Sequence, residues 1–147
     1  MRIMQLKKYT DYALRVLIFT GMKSGQELTN IREISEAFSI SQHHLAKIVF
    51  ELSQQGLVET IRGRSGGIRL AKDPKEINIG IIVRDLEQDF HLLECFDQSA
   101  NHCKISPACK LKVILHEALE AFFSVLDQYT LEDLLVNEKE LLQLLGL

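Results

Sequence analysis

The chain has 147 residues, 46% of them hydrophobic and 25% charged, which allows one well-buried core and argues against a disordered or fibrous class. The apolar run from Ala13 to Phe19 is interrupted by Arg15 and is too short to cross a bilayer, and no secretory signal is visible. A cytoplasmic protein with no membrane contact is therefore expected, in which three cysteines point to metal or redox chemistry rather than to a disulfide framework.

The net charge of −3 hides a division. Residues 1–72 carry 11 Lys+Arg against 6 Asp+Glu, whereas residues 73–147 carry 6 against 14. A basic front half joined to an acidic rear half fits a nucleic-acid-binding module attached to something that avoids phosphates.

Along the front half, Thr10 is a candidate helix cap with Asp11 in the first turn. Leu14, Leu17, Ile18 and Gly21 follow at helical spacing, and Gly21 to Gly25 read as its end. Asn30-Ile31-Arg32-Glu33 is a capping box, opening a short helix with Ile31, Ile34 and Phe38 on one face. After a turn at Ser39-Ile40-Ser41, with Ser41 as the next cap, Leu45, Ile48, Val49 and Leu52 recur at i, i+3, i+4 and i+7. The opposite face presents Gln42, His43, Ala46, Lys47 and Phe50. Two short helices around a tight turn, the second polar on its outer side, read as a helix-turn-helix that offers Gln42, His43 and Lys47 to bases and phosphates.

Beyond Gly56, the stretches Leu57–Arg62 and Ile68–Leu70 flank the loop Gly63-Arg64-Ser65-Gly66-Gly67, a hairpin pattern. A hairpin directly after a recognition helix is a wing. Arg64 at its tip suits a minor groove, and Arg62 and Arg69 suit phosphates. The glycine-rich loop lacks the ending of a nucleotide-binding loop and joins two strands, and the adjacent His43 and His44 point in different directions, so neither reads as another kind of site.

Asp73-Pro74-Lys75 is a linker-like break, and the expected division is a winged helix-turn-helix over residues 1–77 and a second region over residues 78–147. Asn78 is placed to cap a helix with Ile79, Ile82, Val83 and Leu86 inward. Ser106-Pro107 reads as the start of a long helix, with Cys109 as its third residue. Along that helix Leu111, Leu115, Ala118, Phe122, Val125 and Tyr129 recur at intervals of 4, 3, 4, 3 and 4, a heptad seam. The seam fits either an internal core or docking on a second copy of the chain; twofold DNA sites favour the second. Thr130 is read as the cap of a short helix and Asn137 as that of a last one ending near Leu145.

All three cysteines, Cys95, Cys103 and Cys109, lie between residues 94 and 110, spaced Cys-x7-Cys-x5-Cys. Zinc sites pair their ligands more closely, and His102 beside a cysteine lacks the third group of a catalytic set. Three thiolates on one loop, one of them at a helix start whose dipole favours an anionic sulfur, can wrap a [4Fe–4S] or [2Fe–2S] cluster with one iron left for another ligand. A small thiol oxidoreductase or zinc-binding protein is the alternative from another class. The leading reading is a binding protein and not an enzyme.

The segment Tyr9-Thr10-Asp11-Tyr12-Ala13-Leu14-Arg15, the wing Arg62–Leu70 and the cysteine spacing together resemble the winged-helix iron–sulfur repressor family. Glu94-Cys95-Phe96-Asp97 and the spacing are more similar to its nitric-oxide-sensing branch than to its cluster-biogenesis branch. The resemblance implies a mainly α fold: a winged helix-turn-helix, a cysteine-bearing loop over residues 94–110, and a long dimerisation helix carrying Leu111, Leu115, Ala118, Phe122 and Val125. It implies a homodimer on a palindromic double-stranded DNA operator, with Ser65 and Gly66 joining the arginines of the wing at the interface. It further implies a cluster, [4Fe–4S] ahead of [2Fe–2S], held by Cys95, Cys103 and Cys109, with Asp11 of the other subunit as the fourth ligand. His102, Glu94 and Asp97 are the local rivals for that place. Nitric oxide is the implied signal, with iron or oxygen the alternative within the family.

Overall fold

The computed structural model describes residues 4–23 and 27–147. Helix α1 spans Lys8–Met22, α2 Ile31–Phe38 and α3 Gln42–Gln54; strands β1 (Val58–Ile61) and β2 (Gly67–Leu70) follow, then α4 (Ile79–Glu87), α5 (Lys110–Leu126) and α6 (Glu138–Leu145). This is the mainly helical winged-helix architecture expected.

Helix α1 begins two residues earlier than Thr10. Lys7 occupies the cap position and Thr10 is fully buried within the first turn, so its hydroxyl faces the core and caps nothing. The start is held instead by a distant group: the Lys7 backbone N–H donates to Glu87 Oε1 at 2.7 Å and Lys7 Nζ donates to the Glu87 carbonyl at 2.6 Å. The helix continues through Gly21 to Met22, while Gly25 lies outside the described residues. Its core side is Ala13, Val16, Leu17, Phe19 and Thr20, with Leu14 and Ile18 only half-buried.

The caps of α2 and α3 form as expected. The Asn30 side chain accepts from the Arg32 backbone N–H at 2.8 Å while Glu33 accepts from the Asn30 N–H at 2.8 Å, and Ser41 Oγ accepts from the His44 N–H at 3.2 Å. Ser39 between them adopts the left-handed conformation, φ 54°, and makes the turn tight. Leu45, Ile48, Val49 and Leu52 are all buried, and α3 packs across α1 and α2.

β1 and β2 pair antiparallel with Val58 opposite Leu70 and Ile61 opposite Gly67, so Gly67 belongs to the strand and the loop is Arg62–Gly66. Its turn needs glycine twice: Gly63 has φ +110°, and a Cβ on Gly66 would stand 2.2 Å from the Ile61 carbonyl oxygen. Thr29 adds a short bridge to the outer side of β2 through Ile68, pinning the wing to the segment before α2.

Asp73–Glu76 closes into a single capped 3-10 turn, after which Ile77 is buried and receives the Leu131 N–H on its carbonyl. Asn78 caps α4 and Ile79, Ile82, Val83 and Leu86 are buried, as expected. One hydrophobic cluster runs from α1 and α3 through Ile77 and α4 to Phe123 and Leu131.

Two further starts differ from expectation. Ser106–Ala108 is a separate 3-10 turn, and Cys109, with extended backbone (φ −78°, ψ 117°), is the cap residue of α5, which begins at Lys110. Ser106 is buried and takes a hydrogen bond from Asn101 rather than capping the helix. Thr130 closes a capping box with Asp133, but over a 3-10 turn, Leu131–Leu134; Asn137 precedes α6 without a side-chain cap bond.

Candidate nucleic-acid interface and cysteine site

Gln42, His43, Ala46, Lys47 and Phe50 all stand exposed on the outer side of α3, away from the buried Leu45, Ile48, Val49 and Leu52. The wing leaves Arg62, Arg64 and Ser65 exposed, with Gly66 half-buried beneath them. Arg69 is the exception among the wing arginines. Its Nε donates to Glu59 Oε2 across the two strands at 2.9 Å, so it reaches a phosphate only by sharing or leaving that carboxylate.

The recognition helix is tied to α1 by side chains that no sequence spacing announces. The Tyr9 hydroxyl donates to the Glu51 carboxylate and lies 3.4 Å from the Lys47 carbonyl oxygen. Burial first, then the hydrogen bond and charge of Glu51, push the Tyr9 phenol above its ordinary range, so it stays a donor. The His44 ring packs edge-on against Tyr12 at 5.3 Å and tilted against Tyr9 at 6.2 Å. Arg15 sits over the rings of Tyr12 and Phe38 at 5.4 and 5.6 Å, and binds Asp11 with both a 3.0 Å and a 2.8 Å bond. Asp11 therefore lies at the exposed end of a packed chain of groups that reaches α2 and α3.

Cys95, Cys103 and Cys109 are free thiols; Cys95 is buried and the other two half-buried. From Leu93 to Cys109 the hydrogen bonds among the described residues reach no further than five positions: Asn101 to Ser106, the Cys103 N–H to Asn101, and short turns at Phe96, Asp97, Ala100 and Ala108. Asp97 accepts from the Ser99 hydroxyl and N–H, and these bonds, with a lesser contribution from His91, hold its carboxyl below the ordinary value. Beside Cys95 opens a groove of about 500 Å³, lined also by His91, Phe96, Gln98, Lys112 and His116. Among the described residues no three His, Cys, Asp or Glu side chains converge as a metal site. The donor set nonetheless suits an iron–sulfur cluster: three unpaired thiols on one locally held segment, one against an open groove and one at a helix start.

Helix α5 turns Leu119, Phe123 and Leu126 toward the core, where Phe123 meets Phe90 edge-to-face at 4.7 Å. Arg84 of α4 stacks over the Phe123 ring at 4.3 Å and pairs bidentately with Asp127, whose carboxyl it holds below the ordinary value. The expected seam faces the other way: Leu111, Phe122, Val125 and Tyr129 are exposed, joined by Ile114, with Ala118 exposed and Leu115 half-buried among them.

A helix-turn-helix with a mostly polar outer face, followed by a basic wing, has the form of a DNA-binding transcriptional regulator. The chain belongs to the Rrf2 family: the family model described as "Rrf2: Iron-dependent Transcriptional regulator" matches residues 6–137. It is 65% identical over 144 residues to an HTH-type transcriptional regulator NsrR of Oceanobacillus iheyensis, covering 98% of each chain, and 55% identical to that of Bacillus subtilis, covering 97% of each. Among solved structures it superposes on the oxidized form of Staphylococcus aureus CymR (27% identity, TM-score 0.71, covering 89% of this chain and 95% of that one). It also shares its fold with T. potens IscR (23% identity, TM-score 0.71, covering 90% and 86%). No helix among the described residues is long and apolar enough to cross a membrane.

Proposed function

We propose that this protein is a cytoplasmic, homodimeric repressor of the NsrR type, which senses nitric oxide through an iron–sulfur cluster and releases nitric-oxide-detoxification genes from repression. The observation that carries the reading is the set of three free thiols confined to the 94–110 segment, between α4 and the helix that bears an uncovered apolar seam, in a chain this similar to NsrR regulators.

Cys95, Cys103 and Cys109 would hold the cluster, [4Fe–4S] ahead of [2Fe–2S], with Asp11 of the partner subunit supplying an oxygen ligand. When bound, the group supplies iron open to attack by nitric oxide at a carboxylate-held position. The chain's own residues define what such ligation acts upon. Asp11 lies two positions from Tyr9, whose hydroxyl holds Glu51 of the recognition helix, so whatever grips Asp11 bears on how α3 is presented. Its present bond to Arg15 is partly exposed, and such pairs contribute little, so Arg15 does not forbid another partner.

Dimerisation through α5 would bury what remains exposed of Leu111, Leu115, Phe122 and Val125, about half or less of the roughly 1.5–3 kcal/mol that each such side chain gains from full exposure to full burial. A twofold dimer presents two α3 helices and two wings, and so fits a palindromic operator on double-stranded DNA. Gln42, His43 and Lys47 would meet bases and phosphates, with Arg62, Arg64, Ser65, Gly66 and Arg69 at the wing. The residues 1–77 and 78–147 then divide the labour, the first reading DNA and the second carrying the cluster and the dimer contact.

Anaerobic purification followed by iron and sulfide determination, then titration with nitric oxide, oxygen or chelator while following operator binding, tests the proposal. Equal iron and sulfide, with DNA release on nitric oxide addition, is the expected result. Iron-free protein, or release driven only by oxygen or by iron removal, defeats it.

A further inference from the structure

The outer face of α3 holds one large apolar residue that the roles above leave unused. His43, Ala46, Lys47 and Phe50 fall at i, i+3, i+4 and i+7, a single stripe along the helix, and Phe50 is 67% exposed. A phenylalanine ring carries a large apolar surface, and leaving it in water on an otherwise polar and basic face gains the subunit nothing. Phe50 is remote in the chain from the exposed seam of α5, and its helical neighbours Val49 and Leu52 turn inward. Its surroundings decide the kind of partner. Lys47 lies one turn before it, Arg62 and Arg64 stand exposed on the wing that follows, and Ala46 leaves the approach along the stripe open. A basic surface with one apolar ring matches a DNA groove better than an apolar protein partner or a lipid surface.

In the major groove the apolar feature that a side chain can read is the 5-methyl group of thymine. We propose that Phe50 is a specificity-determining residue, which contacts a thymine methyl in each half of the DNA site. The assignment rests on α3 being the recognition helix, and it is independent of the signal that the protein senses. It gives α3 two modes of readout: hydrogen bonds from Gln42, His43 and Lys47 near its start, and an apolar contact two turns further along.

The test uses the full-length protein, purified anaerobically, to select a duplex from a random pool. Each thymine of the selected site is then replaced in turn by deoxyuridine, which removes only the methyl group. One replacement per half-site is expected to weaken wild-type binding about fourfold, the effect of losing one buried methyl. Phe50→Ala should abolish that penalty and leave the effects of other replacements in place, whereas Phe50→Leu should retain most of it. Because the side chain is exposed, neither variant disturbs the core. Identical deoxyuridine profiles for wild type and Phe50→Ala, or no penalty at any thymine, would overturn the assignment. Failure to enrich any duplex would overturn the recognition-helix reading itself, and Phe50 with it.

Discussion

The DNA-reading half and the cysteine segment are held in opposite ways. In the first, bonds span 10 to 80 positions of chain: side chains link Lys7 to Glu87, Tyr9 to Glu51 and Lys23 to Glu33, and a backbone bridge links Thr29 to Ile68, all resting on a shared core. In the second, from Leu93 to Cys109, every hydrogen bond among the described residues stays within five positions, and Cys95 and Ser106 are the buried residues. A reader of DNA needs its elements at set distances, while the ligand-binding role proposed for the cysteine segment calls for few bonds of its own to break. The groups at the junction, Glu87 before the segment and Lys7 and Tyr9 at the start of α1, belong to both.

The strongest challenge to this contrast is a cavity in the shared core. Phe19→Ala should destabilise the metal-free protein by about 3–5 kcal/mol in urea unfolding, because Phe19 is fully buried and its removal leaves a cavity in the core. Gly80→Ala places a Cβ 1.9 Å from Asp127 Oδ1, so the bidentate Arg84–Asp127 pair must shift; a loss of about 1–3 kcal/mol is expected by the same measurement. Tyr9→Phe removes one partly buried hydrogen bond and leaves Glu51 a carboxylate short of a partner. About 1 kcal/mol of stability should be lost, and DNA affinity should fall while Tyr12→Phe, whose ring alone packs on His44, changes affinity less.

On the other side of the comparison, Cys103→Ala should leave the stability of the metal-free protein within about 0.5 kcal/mol of wild type, and hydrogen exchange should run much faster over residues 97–105 than over α1 and α3. Protection of that segment equal to the core in metal-free protein would erase the distinction drawn here. The smallest effect concerns pH. Burial works against ionisation of Glu33, but the Lys23 ammonium and the Asn30 N–H prevail and hold its carboxyl below the ordinary value of 4.5. A carboxyl depressed on folding stabilises the protein above its unfolded pKa and loses that contribution as pH falls through the folded one. Glu33→Gln should therefore lower the melting temperature at neutral pH by about 2 °C or less, a difference that fades on acidification.

Much of the fold is written locally, and for that reason was legible. The Asn30–Glu33 capping box, the Ser41 and Asn78 caps, the inward stripe Leu45-Ile48-Val49-Leu52 and the Gly-rich wing each depend on residues a few positions apart. Cys95, Cys103 and Cys109, and the seam Leu111 to Tyr129, were visible for the same reason. Where local signals competed with distant ones, the distant ones prevailed. Thr10 has the chemistry of a cap, yet the helix starts at Lys8 because Glu87, 80 residues away, supplies the acceptor for Lys7. Ser106-Pro107 has the composition of a helix start, yet Asn101 engages Ser106 and the chain turns once more before α5.

The sequence by itself thus determined which elements form, which faces are apolar, and that three thiols share one loop, since propensity, capping and periodicity act over a turn or two. Only the tertiary structure decided that Tyr9 clasps the recognition helix through Glu51, that Arg69 is already paired with Glu59, and that Asp11 sits at the open end of a packed chain of rings and charges. Tyr9–Glu51 and Tyr12–His44 join different helices and Arg69–Glu59 joins two strands, while the Asp11–Arg15 pair lies within α1 and gains its setting from the rings of Tyr12 and Phe38 beside it. The links from α1 to α3 are set by how those two helices lie against each other, which hydrophobic burial decides, and the Arg69–Glu59 pair by the register of the two wing strands.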